Sequence, residues 1–154
     1  MTDVPFETTL LVRDTCLCLA VQRAARALAR RFDDALRPVG LTNGQFSLLM
    51  SLNRPQPPGM ASVAGLLAMD RTTLTAALKP LERRRLVRVV VDPTDRRGRL
   101  LRLTPKGRHL LARAVPVWME HHQLLENEVG SAAGLRQQLA LLAGGTWKGD
   151  ANGS

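Results

Sequence analysis

The stretch from Leu86 to Leu103 constrains this chain more than any other. Two apolar runs, Leu86 to Val91 and Leu100 to Leu103, flank Asp92-Pro93-Thr94-Asp95-Arg96-Arg97-Gly98-Arg99. Val- and Leu-rich runs around a Pro/Asp/Gly turn predict a two-stranded antiparallel ribbon with Arg96, Arg97 and Arg99 at its tip. Such a tip is shaped to enter a DNA groove. Just upstream, Asp70-Arg71-Thr72-Thr73-Leu74-Thr75-Ala76-Ala77-Leu78-Lys79 reads as a helix start whose exposed face offers hydroxyls and cations.

Charge points the same way. At 154 residues, 45% hydrophobic and 23% charged, the chain suits one globular domain with an apolar core. The formal net charge is +9, yet Arg71 to Arg113 alone holds 13 Lys/Arg against 3 Asp/Glu, which leaves the remainder at −1. A basic patch this localised is the footprint of a polyanion partner, because neutralising phosphates releases condensed counterions. An anionic membrane would suit the same charge. Against it, no run reaches the roughly 18 apolar residues of a spanning helix, and Met1 to Leu10 lacks the basic-then-apolar order of a signal peptide. The expectation is a cytoplasmic chain without a membrane partner, its Cys16 and Cys18 starting as thiols.

Elsewhere the pattern is helical. Apolar residues at 17, 21, 24, 28, 32 and 35/36 predict one long amphipathic helix from Asp14 to Leu36, stopped by Pro38-Val39-Gly40. Thr42-Asn43-Gly44-Gln45 has the form of a capping box for a second helix, which Pro55-Gln56-Pro57-Pro58-Gly59 ends. Ser62 to Leu67 reads as a short helix, and Asp70 as the N-cap of the next, running toward Arg85. Thr104-Pro105 opens a helix reaching about Glu128, with Pro116 expected to kink it at about 3 kcal/mol in isolation. Gly130-Ser131 interrupts, Leu135, Leu139 and Leu142 mark a last helix, and 144–154 reads as a flexible tail. The fold class is mainly α (α+β). Residues 38–104 form a winged helix-turn-helix DNA-binding region, and 1–37 with 105–143 supply N- and C-terminal dimerisation helices. The terminal helices carry more apolar positions than one chain can cover, which predicts a homodimer reading two half-sites of a pseudo-palindrome.

Five motifs in this order carry a family resemblance: Leu41-Thr42-Asn43-Gly44-Gln45-Phe46, Asp70 to Thr75, Leu81-Glu82-Arg83-Arg84, Asp95-x-Arg97, and Leu103-Thr104-Pro105-Lys106-Gly107. Together they resemble the MarR family of bacterial transcriptional regulators over about residues 10 to 143. The resemblance implies a dimeric winged-helix repressor on a palindromic double-stranded DNA operator, released by a small molecule, often an aromatic acid, or by an oxidant. It also implies that Arg97 enters the minor groove. The family usually has glycine where this chain has Arg85, and a left-handed backbone there would cost a side-chain-bearing residue about 1 kcal/mol.

Arg71, Thr72, Thr73 and Thr75 lie where a reading helix reaches base edges, since hydroxyls pair with several bases and threonine methyls touch thymine. Lys79, further along, is assigned to phosphate. Asp95 has the spacing to hold the Arg97 guanidinium across the turn, and a narrow minor groove rewards an oriented arginine. Arg96 and Arg99 are assigned to phosphate.

The effector side is thinner. By resemblance, Cys18 stands where the peroxide-reactive cysteine of the organic-hydroperoxide-sensing branch stands. That branch activates its thiolate with tyrosine phenols; this chain has no tyrosine, and Gln22 and Phe32 occupy the partner positions. A cysteine on an apolar helix side is ordinarily a packed small hydrophobe. Cys16 and Cys18, two apart on a helix, face different directions and make no metal pair. His121 and His122 cannot face one ion and lack an i+4 ligand. Trp118 either lines a ligand cleft or packs. No G-x-S-x-G, P-loop, G-x-G-x-x-G or H-E-x-x-H motif is present, so neither an enzyme nor a cofactor is expected. Two alternatives remain: redox sensing through Cys18, and an architectural DNA binder without an effector.

Overall fold

In a computed structural model the structure describes residues 3–144. The expected tail, apart from Gly144, lies outside them. The elements run α1 (Phe6–Thr15), α2 (Leu17–Leu36), a 3₁₀ turn (Arg37–Val39), α3 (Asn43–Ser51), α4 (Met60–Leu66), α5 (Arg71–Arg83), β1 (Val87–Val91), β2 (Arg99–Leu103), α6 (Pro105–Glu128) and α7 (Ala132–Leu142). Of the described residues, those to Trp118 form one compact unit and those from Met119 a second.

The core of the first unit is built from one stripe per element. Leu36 ends α2, Phe46, Leu48 and Leu49 line α3, and Leu74, Leu78 and Leu81 recur at helical spacing along α5. Leu86, Val87, Leu101 and Leu103 face them from the ribbon, and Leu111 and Ala114 from α6. The ribbon is antiparallel, with Val87 opposite Leu103 and Val91 opposite Arg99. The Pro57-Pro58-Gly59 break lies along β2: the Leu101 amide donates to the Pro58 carbonyl at 2.9 Å, and Gly59 forms a bridge to Leu100. A segment that cannot be helical thus guards the edge of a two-stranded sheet.

Three expected caps are in place. Thr42 and Gln45 exchange both capping-box bonds at 3.2 Å. Asp70 Oδ1 accepts from the Thr73 amide at 2.7 Å, and Thr104 Oγ1 from the Gly107 amide at 3.0 Å. One expectation is corrected: the helix expected from Asp14 to Leu36 is two helices, divided at Cys16. That residue is extended (φ −74°, ψ 108°), and its Sγ accepts from the Leu19 amide at 3.4 Å to cap α2. The short helix starts at Met60 rather than Ser62, capped by Gly59. α6 runs unbroken through Pro116.

In the second unit, Ser131 caps α7 by accepting from the Gly134 amide at 3.2 Å. Arg136 of α7 pairs with Glu126 of α6 at 2.8 Å.

Candidate nucleic-acid interface

The buried stripe of α5 leaves the opposite face to solvent, and that face carries Arg71, Thr72, Thr75, Lys79 and Arg83. Asp70 fixes its start twice, accepting from the Thr73 amide and, at 3.0 Å, from the Thr73 hydroxyl. These two bonds hold the Asp70 carboxyl below the ordinary carboxylate range. Thr73 therefore spends its proton on the cap, and Thr75 donates to the Arg71 carbonyl at 2.8 Å. Both hydroxyl oxygens remain acceptors toward an external donor. Pro80 sits inside α5 and removes the amide that would meet the Ala76 carbonyl, a feature not expected from the sequence reading.

The ribbon tip is a set of nested turns. The Asp92 amide donates to the Gly98 carbonyl at 3.1 Å and the Gly98 amide to the Asp95 carbonyl at 2.8 Å. Asp92 Oδ1 accepts from the Thr94 amide at 2.9 Å and hydroxyl at 2.8 Å, which holds its carboxyl below the usual range. A Cβ at Gly98 would lie 3.1 Å from the Asp92 Cβ and 3.2 Å from the Asp95 carbonyl, so a side chain there fits only if the tip gives by a few tenths of an ångström. Asp95 does not hold the Arg97 guanidinium. Its Oδ1 accepts from the Arg97 backbone amide at 3.0 Å, because a two-residue separation in a turn brings the amide, not the side-chain end, to the carboxylate. Arg99 folds back to the carbonyls of Arg96 (3.2 Å) and Gly98 (3.0 Å), while Arg96 and Arg97 stand exposed. A groove of about 360 Å³ between α5 and the ribbon gathers Arg71, Thr75, Lys79 and Arg99.

The base of the ribbon is tied to both neighbouring helices. Arg85 has φ +59°, the left-handed conformation, and keeps its side chain exposed. Thr104 Oγ1 donates to the Arg85 carbonyl at 2.7 Å, and Lys106 Nζ to the Arg84 carbonyl at 3.0 Å. Arg84 reaches Gln45 Oε1 at 3.4 Å, so the capping-box glutamine also touches the end of α5. Sequence reading missed these links; the run Arg83-Arg84-Arg85 was the available signal.

None of the residues proposed for an effector lines the groove between α5 and the ribbon. Trp118 is half-buried and stacks on Phe46, centroids 6.0 Å apart and planes at 18°, beside the core. Cys18 is exposed rather than packed, and Gln22 donates an N–H to its sulfur at 3.0 Å. Cys16 lies at a helix break rather than within a helix. His122 does have an i+4 partner, Glu126, at 3.7 Å, and the Arg136 hydrogen bond holds that carboxyl below its usual range. Among the described residues no group of three or more His, Cys, Asp or Glu is placed to hold a metal, and no helix is long and apolar enough to cross a membrane.

Comparison with known proteins places this geometry. The family model described as the MarR family matches residues 41–98, from the α3 cap to the ribbon tip. The transcriptional activatory protein BadR of Rhodopseudomonas palustris is 35% identical over 97 residues, 61% of this chain and 55% of BadR. The chain thus spans about half the length of that curated relative. The M. tuberculosis transcriptional regulator MosR, solved in complex with DNA, is 39% identical with a TM-score of 0.78, over 84% of this chain and 94% of MosR. The transcriptional repressor CouR, bound to a 23-mer DNA duplex, is 30% identical with a TM-score of 0.72, over 93% of this chain and 98% of CouR. With winged-helix architecture, the capped helix α5 and the basic ribbon in the same order as these regulators, the chain belongs to the MarR family of transcriptional regulators.

Proposed function

We propose that the chain is a sequence-specific regulator that binds double-stranded DNA as a homodimer on a pseudo-palindromic operator and represses until a small molecule releases it. The observation that carries this reading is the joint display of α5 and the ribbon tip, cationic and exposed, on one packed unit. In this reading Arg71, Thr72, Thr73 and Thr75 meet base edges, Arg97 enters the minor groove, and Lys79, Arg96 and Arg99 meet phosphates. Asp95 shapes the tip through the Arg97 amide. Repression follows the role of CouR, a transcriptional repressor, and the DNA-bound MosR and CouR support the partner.

Footprinting tests it. Protection of one or a few short palindromes upstream of the gene is expected, with affinity well over tenfold above that for random DNA and lost on Arg97→Ala without unfolding. Uniform coating of DNA would instead identify an architectural binder. Thiol sensing through Cys18 is a second reading, favoured by the exposed sulfur and its Gln22 N–H. Peroxide should then release wild type from DNA and leave Cys18→Ser bound; equal release of both would end that reading.

A further inference from the structure

We infer that the cleft between the α3–α4 link, strand β2 and the first turn of α6 is a binding site for an oxyanion, a phosphate or carboxylate group. Its size selects the ligand. At about 120 Å³ it holds the space of roughly four waters, far below the 300 Å³ or more of a drug-sized pocket, and so admits one small anionic group.

Its lining selects the charge. Asn53, Arg54, Pro57, Arg102 and Arg108 surround it over the fully buried Leu101, with no carboxylate among the lining residues. An apolar floor beneath cations focuses positive potential at the mouth. Two of the guanidiniums are fixed in advance. Arg54 donates from Nε to the Ser51 carbonyl at 3.0 Å and from Nη1 to Ser62 Oγ at 3.1 Å, and Arg108 donates from Nη1 to the Leu103 carbonyl at 3.0 Å. A guanidinium has five N–H donors, so each keeps several for a ligand while its orientation is already set.

The ribbon adds a third, unbalanced cation. Arg102 lies directly opposite Arg88 in the ladder, a like-charge pairing that destabilises a sheet unless an anion offsets it. Among the described residues none of Arg54, Arg88, Arg102 and Arg108 takes part in an ion pair. The cleft shares no residue with the groove between α5 and the ribbon. The oxyanion can belong to a free molecule or to the DNA backbone, and the two sources separate experimentally.

The test titrates the full chain with inorganic phosphate by calorimetry, holding ionic strength constant with chloride. Wild type should bind phosphate and Arg102→Gln at least tenfold more weakly. Arg30→Gln, which removes one exposed charge from α2, should stay within twofold of wild type. Among the described residues Arg102 has no side-chain bonding partner, and its replacement relieves the pairing with Arg88, so Arg102→Gln should melt no lower than wild type. If the group comes from DNA, Arg102→Gln should lower the slope of log affinity against log salt by about 0.9, one phosphate contact. The inference is overturned if wild type binds no phosphate and the salt slope is unchanged, or if Arg30→Gln weakens phosphate binding as much as Arg102→Gln. The phosphate titration stands whether or not the chain recognises an operator.

Discussion

At the scale of single residues, Gly107 carries the most structural consequence. A Cβ there would sit 2.1 Å from the Leu86 carbonyl oxygen, a backbone atom that cannot step aside. Helix propensity alone favours alanine over glycine by about 1 kcal/mol, so propensity and packing predict opposite signs. Packing should win: Gly107→Ala is expected to lose about 2 kcal/mol or more, seen as a lowered midpoint in urea at unchanged slope. A rise in stability would mean that α6 does not approach the ribbon base so closely. Asp95 shows the same dependence on backbone. Its spacing to Arg97 was legible, but whether its carboxylate meets a guanidinium or an amide is decided by the turn's dihedral angles, which residue identity leaves open.

At the scale of elements, α5 is bracketed by two helix endings of the same kind. Before it, the Met69 amide donates to the Ala64 carbonyl at 2.9 Å and the Ala68 amide to the Gly65 carbonyl at 3.3 Å. After it, Leu86 donates to Leu81 at 2.9 Å and Arg85 to Glu82 at 2.8 Å. Both are Schellman endings, yet their left-handed positions hold Ala68 (φ +52°) and Arg85 (φ +59°) where glycine is easiest. Arg85→Gly should therefore gain about 1 kcal/mol, raising Tm by about 2–4 °C, while Arg85→Ala keeps the strain and gains nothing. Equal melting of the two variants would refute that assignment.

This contrast marks what sequence alone conveys. Thr42-x-x-Gln45, Asp70 and Thr104-Pro105 announce helix starts because the capping atom belongs to the named side chain. The ribbon was legible for a similar reason, its turn residues lying between runs of Val and Leu. The break at Cys16 was not, since neither glycine nor proline marks it. Nor was the start of α1 after Pro5, which has no side-chain cap. In the candidate site, the exposed face of α5 followed from the Leu74, Leu78 and Leu81 stripe. The inward folding of Arg99 and the commitment of the Thr73 hydroxyl depend on distances no pattern encodes.

At the scale of the whole molecule, the uncovered apolar surface is the main unmet demand. Of the α2 stripe only Phe32 and Leu36 are buried; Leu17 is 67% exposed and Leu28 39%. Phe6 and Leu11 of α1 are exposed too, and so, in the second unit, are Leu135, Leu139 and Leu142 of α7. Exposed apolar stripes of this kind, each on its own unit, mark interfaces, and a second copy of the chain fits the proposed function. Light scattering on the eluted protein should give about twice the 16.9 kDa of one chain, and a single-chain mass would contradict the dimer.

One hydroxyl gives this surface its mechanical meaning. Thr104 Oγ1 donates to the last carbonyls around Arg85 and accepts the Gly107 amide, while its own amide donates to Leu86 at 3.0 Å. The end of α5, the foot of the ribbon and the first turn of α6 are pinned at one point, with no slack residue between them. We expect a push on that turn to carry the ribbon and the end of α5 together, as a two-pronged fork rather than as independent fingers, and Thr104→Val, which removes the hydroxyl, to loosen that coupling.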